Sequence, residues 1–372
     1  MPRLPCMDRA YDIVLYGATG FTGALTAAYL AEHAGGTRWA LAGRNRAKLE
    51  AVRDGLGLDL PLLHADADDP GTLEDLARQT RLVITTVGPY IKHGEPLVAA
   101  CARNGTDYVD LTGEPTFVDL MYVRYHRQAE ASGARIVHAC GFDSIPHDLG
   151  AYFTVQHLPK DVPLRVEGFL QAHGTASGGT VASAKGVILD PLGMRRAARE
   201  RDRIEPRPRG RRAAVARGPL PRTRLRGGVA IPLPTIDPQI VVRSARALER
   251  YGPDFTYGHF LAVTRGGGGL GGEHGLLTTL RQKPGDGPSA EQRAKNWFRV
   301  TFHGEGGGER VVTRVEGGDP GYDETAKMLG ESALCLVHDA LPDTAGQVTT
   351  AQAMGDALIE RLVRAGIGFR VL

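Results

Sequence analysis

The sequence predicts a doubly wound α/β domain over residues 10–150, followed by a second domain of different pattern. Three observations carry this reading. Six short apolar runs alternate with helical segments, a glycine-rich turn sits at the first strand–helix junction, and the rhythm stops after residue 164. A chain of 372 residues accommodates two such domains.

Residues 11–16, YDIVLY, are mostly apolar and stop at Gly17, as a buried parallel strand does. Residues 21–33 then place Phe21, Leu25, Ala28 and Tyr29 on one helical face. A second strand over 39–42 leads into a charged helix over 45–56. A third over 62–65 ends at Asp66, before a helix over 70–80. A fourth over 82–87 stops at Gly88-Pro89, and 96–104 is the next helix. Residues 107–111 and 134–139 complete six strands separated by five helical segments. Right-handed βαβ units and a parallel sheet follow. In such a sheet the ligand lies beyond the carboxyl ends of the strands, where strand order reverses. Those ends are 17–23, 43–46, Asp66, 88–90, 111–114 and 140–148.

Composition narrows the class. Hydrophobic residues make up 42% and charged residues 23%, which supports a packed core. The net charge of +3 is too small for the whole molecule to bind nucleic acid. Cys6, Cys101, Cys140 and Cys335 are widely spaced, so neither a disulfide framework nor a cysteine metal centre is expected, and no metal is predicted. No apolar run resembles a signal peptide or a membrane span, so a soluble cytoplasmic protein without stable membrane insertion is expected.

The turn Gly17-Ala18-Thr19-Gly20-Phe21-Thr22-Gly23 follows the first strand and opens the first helix. Gly17 permits the reversal, Gly20 lets backbone approach a pyrophosphate, and Gly23 lets the helix pack close to the sheet. Free amides of the first helical turn face the anion, and Thr19 and Thr22 can donate hydroxyls. A dinucleotide is the expected ligand. NAD binding places an acid at the end of the second strand, but this sequence has Gly43-Arg44-Asn45-Arg46 and no acid before Glu50. Arg44 offers a planar fork for a 2′-phosphate, and Asn45 is a good N-cap. NADP(H) is therefore predicted. Asp66 is placed either on the adenine amino group or as a helix cap. Gly88 and Pro89 bring backbone close to the nicotinamide, and Tyr90 offers a ring and a phenol there.

The runs YGATGFTG at 16–23, AGRN at 42–45, VGPY at 87–90, GEPLVAAC at 94–101, DYVDLTGE at 107–114 and CGFDSIPHDLG at 140–150 resemble the saccharopine dehydrogenase-like NADP-binding family. Together with SGGTVASA at 177–184 and residues 346–369, they resemble its branch of bacterial trans-acting enoyl reductases. The loop departs from that pattern at His93, where an aromatic Tyr is expected. The resemblance implies a Rossmann domain and an α+β domain on a mostly antiparallel sheet, with the C-terminal helix in 346–372 returning to the first domain. It also implies reduction of a carbon–carbon double bond on a polyketide or fatty-acyl thioester, with an acyl carrier protein or polyketide synthase as partner. Other members reduce imines.

The second domain, 151–345, reads as a sheet covering the cofactor cleft. Residues 166–173 alternate like a strand, 179–189 look helical, and 296–303 with 309–316 form a hairpin. Residues 325–339 and 350–365 read as amphipathic helices. Between 195 and 226 stand thirteen arginines interrupted by prolines. This stretch is expected to be a solvated loop, or else a docking patch for an acidic carrier. For the reaction, proton or hydrogen-bond donors come from Tyr90, Ser144 and His147, with Glu114, Asp143 and Asp148 on the same rim. The alternatives are an imine reductase acting on an amino-acid conjugate and an NADP-binding sensor without turnover. A homodimer is left open.

Overall fold

The computed structural model describes residues 9–174, 190–218, 220–221, 228–264 and 287–372. The first sheet contains β1 (Tyr11–Tyr16), β2 (Trp39–Gly43), β3 (Leu62–His64), β4 (Thr80–Thr85), β5 (Asp107–Asp110) and β6 (Arg135–Val137), joined at one edge by β13 (Gly346–Val348). Its order is β13-β6-β5-β4-β1-β2-β3 and every pairing is parallel. Strand order reverses between β1 and β4, and that is where the crevice of a doubly wound sheet opens.

Helices α1 (Phe21–His33), α2 (Arg46–Leu56), α3 (Pro70–Gln79), α5 (Glu95–Asn104) and α6 (Pro115–Ser132) cross between these strands. A four-residue helix, α4 (Tyr90–His93), precedes α5. The expected apolar face of α1 is corrected by the packing. Gly23, Thr26, Ala27 and Leu30 are buried against the sheet. Phe21 and Tyr29 instead meet α11 (Asp323–His338) and the residue that caps it: Phe21 lies edge-on to Tyr322, and the Tyr29 hydroxyl donates to Glu331. The helix is sandwiched, so it needs two apolar faces, and small residues on the sheet side bring it close.

The second sheet runs β14-β12-β11-β7-β10-β8, with β9 also paired to β10. These strands are β7 (Leu164–His173), β8 (Arg212–Val215), β9 (Gly228–Pro232), β10 (Asp254–Thr264), β11 (Trp297–Gly306), β12 (Glu309–Gly317) and β14 (Gly368–Val371). β10 is parallel to β7 and β8, and the other pairings are antiparallel. The β11–β12 hairpin closes through Gly307 and Gly308, both at positive φ, as a two-residue turn requires. Residues 179–189 lie outside the described residues.

Helix α7 (Ile145–Gln156) runs through residue 150, so the chain passes from one sheet to the other inside a helix. The stretch expected as one helix over 350–365 is two, α12 (Thr350–Ala353) and α13 (Gly355–Arg364). They break at Gly355, whose φ is +46°. The arginine-rich stretch is also more ordered than expected. Residues Pro191–Ile204 form α8, which buries Arg201. Its guanidinium donates to Gln347 Oε1 (3.1 Å) and Glu205 Oε1 (2.6 Å) and lies 3.9 Å from the Tyr122 ring centre. Residues 219 and 222–227 of that stretch lie outside the described residues. Among the described residues no helix is long and apolar enough to cross a membrane.

Candidate active site

The glycine turn stands at the carboxyl end of β1, beside the reversal of strand order. Gly17 has φ +97°, and Thr86 Oγ1 donates to its carbonyl at 3.0 Å. A Cβ on Gly23 would lie 2.1 Å from that same carbonyl oxygen, so only glycine lets α1 start here. Gly20 is different. It is extended, at φ −81° and ψ 163°, and a Cβ there would meet only Gly17 O, at an ordinary 3.5 Å. The protein itself places no demand for glycine at position 20, which leaves the approach of a ligand as the reason. The first helical bond runs from Ala24 N to Gly20 O, no side chain caps α1, and its first turn holds no acid. The amides of Phe21, Thr22 and Gly23 therefore present a partial positive charge to an anion. The Thr19 and Thr22 hydroxyls flank them.

At the end of β2, Asn45 accepts from the Lys48 amide (3.0 Å) and caps α2. Arg46 is paired with Glu50, whereas exposed Arg44 has no carboxylate partner among the described residues. Burial, reinforced by Asp66, pushes the Tyr16 phenol up to about 12, and Arg44 opposes the rise. Arg44 and Asp66 thus both act on the crest of β1, where an adenosine end would rest. Asp66 Oδ1 accepts from the Asp68 amide (3.1 Å), while Asp69 is the cap of α3. The residues present fit NADP(H): a glycine cradle, an uncapped helix start, an unpaired Arg44 and no acid at the end of β2. Arg44→Ala should weaken NADPH binding about 10- to 100-fold, the worth of a charged hydrogen-bonded contact, and leave NADH binding nearly unchanged. Titration calorimetry with both nucleotides checks this, and equal losses would defeat the assignment.

Gly88 and Pro89 are exposed at the end of β4, joined by a cis peptide bond. Tyr90 does not face the cleft as expected. It is buried, its hydroxyl donates to Thr85 O at 3.0 Å, and its ring leans on Phe117. Burial, with Asp110 next, raises its phenol well above the usual range. The phenol's proton is thus committed to backbone and is not offered to the cleft, against the expectation of a ring and phenol at the nicotinamide. Glu114 is likewise structural: its two oxygens accept the Tyr90 and Ile91 amides at 2.8 and 2.9 Å and cap α4.

Beyond β6 the chain turns into α7 through Asp143 and Ser144. Ser144 is fully buried, and its Oγ has no hydrogen-bond partner among the described residues. Burial lifts the Asp143 carboxyl to about 6. His147 turns toward the second sheet, with Nδ1 3.3 Å from Tyr257 Oη on β10. Burial, with His259 next, holds its imidazole well below the usual range, so it is uncharged and carries no acidic proton to deliver. Asp148 leaves the rim altogether and accepts from Ser244, Thr350 and Ala351. Tyr257 and His259 on β10, and Asp237 at the start of α9 (Asp237–Ala247), complete this buried polar group. Sequence reasoning missed all three. Only the alternation of Phe255, Tyr257 and His259 along one strand face could have drawn attention to them.

The sequence profile of the saccharopine dehydrogenase NADP binding domain matches residues 13–137. A Mycobacterium tuberculosis protein provisionally named a trans-acting enoyl reductase is 40% identical over 97% of both chains. A trans-acting enoyl reductase of Mycobacterium ulcerans is 38% identical over the same shares. Saccharopine dehydrogenase (L-Glu forming) of Saccharomyces cerevisiae superimposes with a TM-score of 0.50 at 11% identity, covering 97% of this chain and all of that one, which shows a shared fold. The glycine cradle, the unpaired Arg44 and full-length likeness converge: the chain belongs to the trans-acting enoyl reductases built on a saccharopine dehydrogenase NADP-binding domain, a family of NADP-dependent oxidoreductases.

Proposed function

We propose that this protein reduces the carbon–carbon double bond of an enoyl thioester carried by a polyketide synthase. The observation that carries the reading is its likeness to trans-acting enoyl reductases across 97% of the chain. When bound, NADPH would supply the hydride for the β-carbon, and a proton from solvent added at the α-carbon would complete the reduction. The chain's own task is to hold the acyl group against that cofactor and to set a donor on the thioester oxygen, where negative charge develops. We assign that donor to Ser144, whose buried hydroxyl has no partner among the described residues and stands beyond the carboxyl end of β6. A cavity of about 380 Å³ between α6, α8 and α9 has one wall of Pro115, Met194, Ala198, Val215, Pro234 and Val242 and a charged side that includes Asp119, Arg201, Glu205 and Arg243. Its apolar wall suits an acyl chain. Thr235 also lines it and reaches His259 Nε2 at 3.0 Å, which ties the cavity to the polar group beside α7. On α8, exposed Arg195, Arg199 and Arg203 have no ion pairs among the described residues and suit an acidic carrier domain.

Loss of NADPH absorbance with a carrier-bound enoyl substrate tests the reading. Ser144→Ala should lower kcat about 100-fold, the worth of one such donor, with NADPH affinity unchanged. Turnover should fall steeply with salt for the carrier-bound substrate and only weakly for a small enoyl thioester. Oxidation of NADPH with lysine plus an oxo acid, and none with either enoyl substrate, would overturn it. Tight NADPH binding without any turnover would assign a sensor instead.

A further inference from the structure

We infer that His147, Asp237 and His259 form a binding site for a divalent transition-metal ion of the zinc class, set where α7 of the first domain meets α9 and β10 of the second. The three side chains are 2%, 3% and 5% exposed. His147 Nε2 lies 3.7 Å from Asp237 Oδ1, and His259 Nε2 lies 3.6 Å from Asp237 Oδ2. The three sets of ligand atoms all fall within 4.8 Å of one another. Separations of 3.6–3.7 Å are too long for good hydrogen bonds. They are close to the spacing of about 3.3–3.6 Å between tetrahedral ligands held at roughly 2.0–2.2 Å from zinc. A small contraction around an ion would complete the set.

The surroundings prepare both imidazoles for this. Tyr257 Oη lies 3.3 Å from His147 Nδ1 and 3.5 Å from His259 Nδ1. One phenol oxygen can accept from two ring N–H groups, and that arrangement leaves a lone pair on each Nε2. Metal-bound histidines are anchored through their second nitrogen in this way. The Thr235 hydroxyl bonds the Asp237 carboxyl and lies 3.0 Å from His259 Nε2, an oxygen within reach of a fourth position. Room for the phenol is reserved by Gly168, where a Cβ would lie 2.7 Å from it. Asp237 Oδ1 is buried with no hydrogen-bond partner among the described residues. No Lys or Arg pairs with Asp237 among the described residues, and the Asp143 carboxyl is near enough to repel it. A buried, orphaned carboxylate oxygen opposite two imidazole lone pairs calls for a cation.

The test is metal content and spectroscopy of the full chain. Wild-type protein purified without chelator should hold a stoichiometric amount of zinc by mass spectrometry, and the Co²⁺-loaded protein should show intense tetrahedral d–d bands. Tyr257→Phe should weaken Zn²⁺ affinity about 10- to 100-fold, measured by competition with a chromogenic chelator. Asp237→Asn should weaken it further, and saturating Zn²⁺ should raise the melting temperature of wild type but not of Asp237→Asn. Zn²⁺ uptake by wild type no greater than by a folded Asp237→Asn variant would overturn the site. Should that variant fail to fold, absence of the Co²⁺ bands in wild type would overturn it alone.

Discussion

Gly23→Ala is expected to unseat α1 and abolish NADPH binding, whereas Gly20→Ala is expected to abolish binding while leaving the fold intact. At position 23 a methyl group would sit 2.1 Å from Gly17 O and 2.8 Å from Thr86 Oγ1. Neither neighbour can yield cheaply. The Gly17 carbonyl is backbone that accepts from both Thr86 Oγ1 and the Gly20 amide, and Gly17 itself is fixed at positive φ. The helix must therefore lift from the sheet and separate Thr26, Ala27 and Leu30 from their contacts. That costs at least about 3 kcal/mol, the upper range of an overpacked core. At position 20 the backbone lies where alanine is comfortable and the nearest heavy atom to a new methyl is 3.5 Å away. Only a ligand would meet it. Thermal unfolding should separate the two variants clearly, while NADPH titration should show heavy losses in both. A Gly20→Ala variant that binds NADPH like wild type would show that the pyrophosphate does not cross this turn.

The contrast between those glycines shows what the sequence could convey. Strand ends, the Asn45 cap and the β11–β12 hairpin are set by neighbours in the chain, so periodicity and residue type reveal them. Six strands of the first sheet were legible for the same reason, because each βα unit repeats a local pattern. Its edge strand β13 joins from more than 200 residues further along the chain and was missed. Side-chain direction was not legible either. Tyr90 stands beside the cleft in sequence, yet the start of α4 turns its phenol under Thr85. Arg201 lies in a run that reads as solvated, yet besides its neighbour Glu205 one turn on, Gln347 and the Tyr122 ring reach it from elements far apart in sequence. The polar group of His147, Tyr257, His259 and Asp237 comes from two helices and a strand, α7, α9 and β10, and no local spacing announces it. What joins distant segments is settled by packing, and a single sequence carries little of that information.

Asp148→Ala should be among the most destabilising single substitutions in the chain, and its cost follows from the direction of a hydrogen-bond chain. The carboxylate is fully buried, and three donors converge on it: Ser244 Oγ at 2.5 Å, Thr350 Oγ1 at 2.6 Å and the Ala351 amide at 2.9 Å. Because Ser244 spends its one hydroxyl proton on Asp148, Thr349 must be the donor in the 2.6 Å contact between Thr349 Oγ1 and Ser244 Oγ. Thr349 in turn accepts from the Gln352 amide. One acceptor thus orients a relay through α9 and α12 and holds both against α7. Alanine would leave the Thr350 hydroxyl and the Ala351 amide without their buried acceptor and force Ser244 to turn its proton onto Thr349, at about 3–5 kcal/mol. Asparagine keeps the volume but turns one acceptor into a donor facing Ser244, which forces the relay to reverse, so its cost should fall between wild type and alanine. Denaturant unfolding of Asp148→Ala, Ser244→Ala and the double variant would measure the coupling directly. Strong non-additivity is expected, since either single variant already removes the Ser244–Asp148 hydrogen bond. Additive losses would mean that α7, α9 and α12 are held together by apolar contact alone.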